Sequence, residues 1–286
     1  MVYCYYSTMA FNYFSYNGKV LPISDAKISI ADVAYSYGFG VYETIRLHDG
    51  ISYFEAEHIK RLMDSAHLID LQHTFRPSEV SGYIDKLVHK NEVQNANLKI
   101  LLIGAEKPAD ASLYIQVLNP LYPDRKWYKA GVRCTTYNYE RFMPHAKSLN
   151  MLQSYLAYRE ARNAEAYDAL LINSQKEITE GSRTNFFGIR GSTIISPPEK
   201  SILLGVMRSA TIHVAQENGY KLVERPIKLD SLSELDGAFL TSTSSKIMPI
   251  KSIGEYEFGG IPPKLSELMW HLQSFLDESK GVLSAV

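Results

Sequence analysis

The chain has 286 residues, 45% of them hydrophobic, enough to bury a full core and spread it over about two domains. Its 30 Lys and Arg balance 31 Asp and Glu, a net charge of −1, so no broad cationic field supports nucleic-acid or anionic-membrane binding as a main role. Two distant cysteines, Cys4 and Cys134, argue against a disulfide scaffold or thiolate metal site and suit a reducing cytoplasm, and no apolar run reaches the roughly 18 residues of a membrane span.

The opening MVYCYYSTMAFNYFSY is aromatic but interrupted by Ser, Thr and Asn, unlike a secretory signal. Asn17-Gly18 and Asp49-Gly50 are hairpin dipeptides, the second joining GVYETIRL to ISYF. Ile59, Leu62, Met63 and Ala66 form one apolar stripe and predict a helix from Glu55 to Ala66. Val80, Tyr83, Ile84, Leu87 and Val88 predict another after Pro77-Ser78. LKILLIG and SLYIQVL read as neighbouring strands. The stretch NPLYPDRKWYK, with two prolines and mixed charge, is the most linker-like segment. Beyond it come a helix over 152–164, strands at DALLIN, EIT and NFFGIR, a helix from after Gly205 to near Gly219, strand signals at YKLVERPI and GAFLTSTS, and a final helix over 263–276. The pattern predicts an α/β (α+β) chain with a small domain over 1–120, a linker over 121–131 and a larger domain over 132–286.

No GxSxG, HExxH, GxxxxGK[ST] or Cys/His metal spacing is present, so several common enzyme classes lack their usual signature and no metal site is expected. Four features carry chemistry. Lys147 lies in the weakly charged PHAKSLNML, and burial there would favour the neutral amine that condenses with a carbonyl. Glu180 leaves a strand at a Glu-Gly turn. Gly205 opens a helix whose first N–H groups can hold an anion. TSTSSK, from Thr241 to Lys246, ends a strand in hydroxyls. Singly these also read as a surface lysine, a turn acid, a plain helix start and a capped turn.

Together and in order, YGFGVYETIR, EHIKRLMDSA, AKSLN, ITEGSRTNFFGI, ILLGVMRSA and FLTSTSSKIMPI resemble the fold-type IV, or class IV, pyridoxal-phosphate aminotransferases. That family includes branched-chain aminotransferases, D-amino-acid aminotransferases and aminodeoxychorismate lyases. The resemblance implies a small N-terminal α/β sandwich domain and a larger α/β pseudo-barrel domain, with the site in the cleft between them. It implies a homodimer acting on a small amino acid and a 2-keto acid, with pyridoxal 5′-phosphate as cofactor. Lys147 would be the Schiff-base lysine and the acid/base between Cα and C4′. Glu180 would face the pyridine nitrogen, and Leu204 one face of the ring. Arg61 would clamp the phosphate, a role that suits its forked donors, although the helix stripe alone sets it aside as a solvated charge. The N–H groups of Val206 and Met207 and the hydroxyl of Thr243 would complete the phosphate site. Met207 stands where many relatives have Thr.

Tyr35, Tyr37 and Tyr42 fall where the family lines its substrate pocket, while by themselves they read as strand-face packing. Glu43 matches a position near the domain contact, with no catalytic role assigned. Ile103 and Ala105 stand where the D-amino-acid branch carries an Arg-x-His pair, and Leu98 and Leu152 where the branched-chain branch often has Arg and Tyr. Arg141 is the candidate for the substrate carboxylate, with Lys107 and the backbone around Ser242 to Ser244 as alternatives, since an unpaired charge in a closed site is costly. The expected function is transamination with branched-chain L-amino acids favoured and D-amino acids possible. The alternatives are aminodeoxychorismate lyase and a non-catalytic cofactor-binding protein.

Overall fold

A computed structural model describes residues 11–28, 33–120 and 122–283, in two units; Cys4 and the opening aromatic run up to residue 10 lie outside them. The first unit holds the residues before Tyr122 together with Ala146–Asn150. Its strands are β1 (Tyr13–Tyr16), β2 (Lys19–Pro22), β3 (Gly40–His48), β4 (Ile51–Ser52), β5 (Ala96–Ile103) and β6 (Ser112–Leu118). They pair antiparallel throughout, in the order β2-β1-β6-β5-β3-β4. Both hairpin dipeptides adopt positive φ at each residue, 49° and 80° at Asn17-Gly18 and 52° and 77° at Asp49-Gly50, the backbone that a tight two-residue hairpin needs.

The helices of this unit are α1 (Val33–Tyr37), α2 (Glu55–Leu68) and α3 (Pro77–Asn91). Ile59, Leu62 and Ala66 of α2 and Val80, Ile84 and Leu87 of α3 bury against Val41, Ile45 and Leu47 of β3 and Leu98, Ile100 and Leu102 of β5. The period-2 rows of two strands thus meet the 3.6-period stripes of two helices. One member of the β3 row is not apolar: Glu43, fully buried between Val41 and Ile45.

The second unit runs from Tyr122 to His145 and from Met151 onward. Its helices are α4 (Arg125–Ala130), α5 (Leu152–Asn163), α6 (Val206–Glu217) and α7 (Pro263–Leu283). Its strands are β7 (Val132–Asn138), β8 (Asp168–Ile172), β9 (Glu177–Gly181), β10 (Asn185–Arg190), β11 (Thr193–Ser196), β12 (Lys221–Glu224), β13 (Ile227–Lys228), β14 (Gly237–Ser242), β15 (Lys246–Ile253) and β16 (Tyr256–Glu257). They form one mixed sheet, β12-β11-β10-β14-β15-β7-β8-β9-β13, with β16 on β15. Asn185 of β10 also pairs with Glu180 of β9, so β10, β14, β15, β7, β8 and β9 close into a ring. Phe186, Leu170, Leu240, Met248 and Ile250 are among its core residues.

Three expectations change. The 121–131 stretch is not a free linker: Asp124 caps α4 by accepting the Lys126 N–H at 2.9 Å, and Trp127 and Tyr128 pack on the second core. Residues 146–150 join the first unit because they bond to β3. YKLVERPI splits at Pro226, which ends β12 on β11 and leaves β13 to pair with β9.

Candidate active site

In the first unit, the segment carrying Lys147 lies along the start of β3. Tyr42 N–H donates to Lys147 O at 2.9 Å and Leu149 N–H to Gly40 O at 2.8 Å. The Lys147 N–H donates to Ser65 Oγ of α2 at 3.1 Å. Gly40 permits the approach, since a Cβ there would lie 2.8 Å from both Leu102 O and Leu149 Cδ1. Lys147 Nζ sits 4.5 Å from the centroid of the Tyr42 ring, within cation–π range. Three backbone anchors therefore fix the base of this lysine beside a tyrosine face.

Arg61 is not a solvated charge. Its Nε donates to Glu43 Oε1 at 2.6 Å and its Nη2 to Glu43 Oε2 at 2.9 Å, a fork-to-carboxylate pair. His58 Nδ1 lies 2.8 Å from Glu43 Oε2. Burial raises the Glu43 pKa, but the Arg61 charge and the hydrogen bonds from His58 and Arg61 outweigh it and bring the carboxyl down to about 2. An ionised carboxylate only accepts, so His58 Nδ1 carries the proton. Burial lowers the His58 pKa more than Glu43 raises it, which leaves the ring neutral. The stripe reading missed this group. Its sequence signal is a carboxylate in an apolar period-2 row, which requires a buried partner.

The tyrosines separate. Tyr42 stays beside Lys147, whereas Tyr35 and Tyr37 lie on the short helix α1, not on a strand. Tyr37 is 82% exposed. Ile103 is buried in the core, so that position offers no polar group to a carboxylate.

In the second unit, Glu180 is buried at the ring closure. Its Oε2 accepts the Leu203 N–H at 3.2 Å, while Asn185 Nδ2 donates to Leu203 O at 2.6 Å. With Leu203 held at both its N–H and its carbonyl, Leu204 points outward and keeps 37% of its surface exposed. Gly205 then starts α6. A Cβ at Gly205 would meet Asn185 Oδ1 at 2.0 Å, so only glycine lets the helix begin this close to the carboxylate. No side chain caps α6; the N–H groups of Val206 and Met207 belong to the first turn, which has no intrahelical acceptors.

The turn from β9 to β10 is set by Asp168, which accepts from Ser182 Oγ, from Thr184 Oγ1 at 2.9 Å and from Ala169 N–H at 2.8 Å. Asp168 and Asn185 are supporting residues that motif reading left unassigned. Thr243 sits half-buried at the tip of the turn after β14. Ser242 Oγ is engaged with Ser245 Oγ at 2.7 Å and Ser244 Oγ at 3.4 Å, so the Ser242 and Ser244 hydroxyls serve their own turn. Arg141 points at Glu180, with Nη1 3.4 Å from Oε1. Cys134 is buried, and burial pushes its thiol well above its ordinary value, which removes it as a nucleophile. Among the described residues no His, Cys, Asp and Glu cluster could hold a metal ion, and no helix is long and apolar enough to cross a membrane.

Residues 40–253 match the family model for amino-transferase class IV. The chain is 30% identical over 262 residues to the D-alanine aminotransferase of Bacillus licheniformis, covering 88% of this chain and 92% of that one. It is 28% identical over 282 residues to the branched-chain-amino-acid aminotransferase of Pseudomonas aeruginosa, covering 91% and 92%. A solved branched-chain amino acid aminotransferase from T.th. with pyridoxamine 5′-phosphate superposes with a TM-score of 0.85 at 26% identity, covering 93% of this chain and 94% of that one. The same T.th. enzyme has been solved complexed with N-(5′-phosphopyridoxyl)-L-glutamate. The fold is therefore the fold-type IV arrangement, and the chain belongs to the class IV aminotransferases. It is an enzyme of amino-group transfer.

Proposed function

We propose that this enzyme uses pyridoxal 5′-phosphate to move an amino group between a branched-chain L-amino acid and a 2-keto acid. The observation that carries the cofactor is the second-unit cluster: a buried carboxylate, an apolar side chain held outward beside it and an uncapped helix start reached through a glycine. These fit a ring nitrogen, a ring face and a phosphate. When bound, pyridoxal phosphate supplies a ring that accepts the electrons left at the substrate Cα when its proton is removed.

The chain's own groups would do the rest. Lys147 Nζ carries the cofactor and takes and returns the Cα proton. Glu180 holds the ring-nitrogen proton. Leu204 covers one ring face. Arg61, the Val206 and Met207 N–H groups and Thr243 Oγ1 bind the phosphate, with Met207 contributing backbone alone. Tyr42, beside Lys147, lines the substrate side. Preference for L donors is supported by the branched-chain enzymes among the solved relatives and by an apolar core residue at Ile103. The D-alanine enzyme at 30% identity supports D donors as the second reading. A cytoplasmic homodimer is proposed with it, on the low cysteine content and the family resemblance.

The test is a donor screen with 2-oxoglutarate as acceptor. L-leucine and L-valine should be consumed and D-alanine not, and Lys147→Ala should lose roughly 10³-fold in rate. Borohydride reduction should fix the cofactor on the peptide containing Lys147. Turnover of D-alanine without L-leucine would move the enzyme to the D branch, and pyruvate released from aminodeoxychorismate without any keto acid would make it a lyase.

A further inference from the structure

Arg141, the sequence candidate for the substrate carboxylate, faces a protein carboxylate instead. It lies in the segment between β7 and the Lys147 stretch, pinned at both ends. Tyr139 N–H donates to Ile172 O at 3.0 Å, and His145 Nε2 lies 2.8 Å from Glu199 O. Between these anchors Glu140, Phe142 and Met143 are exposed, and Met143 takes a positive φ of 52°. Within the run from Glu140 to Met143, Arg141 turns inward, its side chain 19% exposed and its guanidinium 3.4 Å from Glu180 Oε1. The Leu203 N–H on Oε2 and Asn185, opposite Glu180 on β10, bring no charge of their own.

We propose that Arg141 is a positioning residue that acts through Glu180, sharing its carboxylate with the cofactor's ring nitrogen and so weakening the ring's hold on its proton. The inference rests on the pairing of Glu180 with that nitrogen in the proposed function. A carboxylate with no second cation would stabilise a full pyridinium. A guanidinium on the same carboxylate spreads its charge over two partners and repels the ring's positive charge, since both cations lie within a few ångströms in a water-poor site. The ring then accepts electrons less strongly than in a site with an unshared carboxylate. With the cofactor bound, that tempering would favour return of the proton to the substrate Cα. The same arginine gives the buried Glu180 a partner of opposite charge and keeps its carboxylate aimed.

The experiment follows the ring nitrogen itself. Wild type, Arg141→Met, Arg141→Gln, Arg141→Lys and Glu180→Gln are loaded with ring-¹⁵N pyridoxal 5′-phosphate, and the ¹⁵N resonance is followed against pH. Removing the charge in Arg141→Met and Arg141→Gln should raise the pH of ring deprotonation by about one unit or more, and Arg141→Lys should restore the wild-type profile. Affinity for 4-methyl-2-oxopentanoate should change less than the ring titration does. The inference falls if both neutral variants titrate as wild type, or if they lose keto-acid affinity with the ring nitrogen unmoved, which would return Arg141 to the substrate carboxylate. Glu180→Gln separates the two levels: if it does not move the resonance, the pairing in the proposed function fails, whereas a response to Glu180→Gln with none to Arg141 substitution overturns the Arg141 role alone.

Discussion

Glu43 occupies a place in β3 where hydrophobic periodicity calls for an aliphatic side chain, and it keeps its charge there because Arg61 and His58 meet both oxygens. The folded carboxyl, at about 2, lies below its ordinary 4.5. A depressed carboxyl stabilises the fold above the unfolded value, and that contribution is lost as pH falls through the folded one. The difference corresponds to about 3 kcal/mol. In urea unfolding, the stability gap between wild type and Glu43→Gln should be full at pH 5 and narrow steadily toward pH 2.5. A gap that does not change over that range would mean the carboxylate is not held by its charge. His58 acts in a different window: burial holds its ring neutral with a lowered pKa, so it costs the fold stability as pH falls below the ordinary 6.5. Arg61 was legible as a family position and Glu43 only as a position near the domain contact. Their pairing was not, because they lie far apart in the chain on a strand and a helix, and only the register of β3 under α2 brings them together.

The start of α6 shows how an element is aimed by its neighbours. Gly205 has φ −69°, open to any residue, so its need for glycine comes from space: a Cβ would press on Asn185, which holds Leu203 in place. Gly205→Ala should cost about 1–3 kcal/mol by overpacking and should loosen pyridoxal phosphate as α6 and Leu204 shift. Thermal denaturation and equilibrium dialysis would check the two effects, and an alanine variant with unchanged melting and affinity would show that Asn185 yields freely. Helices with a clear apolar stripe were legible along the whole chain. β15 was not, because Pro249 in KIMPIKSI argues against a central strand. The structure accommodates it by starting the β7 ladder only at Ile250 opposite Val132, so the missing N–H leaves no gap on that side. α1 escaped because five residues carry too little periodicity to detect.

A net charge of −1 hides three arginine–glutamate pairs among the described residues: half-buried Arg61 with Glu43, half-buried Arg141 with Glu180 and buried Arg208 with Glu199. Such pairs hold geometry more than they add net attraction. Chain order also concealed that Lys147 belongs with the first unit, since a linear boundary cannot show a five-residue segment bonding back to β3. Under the proposed function the phosphate would be held by local donors, the α6 start and whatever Arg61 offers beyond its pair with Glu43, and hardly by a general field. Ligand bound only by the folded state raises the melting point by mass action. At one hundred times its dissociation constant the gain is about 2.7 kcal/mol, roughly 5 °C for a chain of this size. Pyridoxal 5′-phosphate should produce that rise, and pyridoxal, which lacks the phosphate, a much smaller one at equal concentration. Arg61→Ala should bring the two close together, while Lys147→Ala should lower both and preserve the difference between them. Equal shifts from the two ligands in wild type would remove the phosphate from these residues.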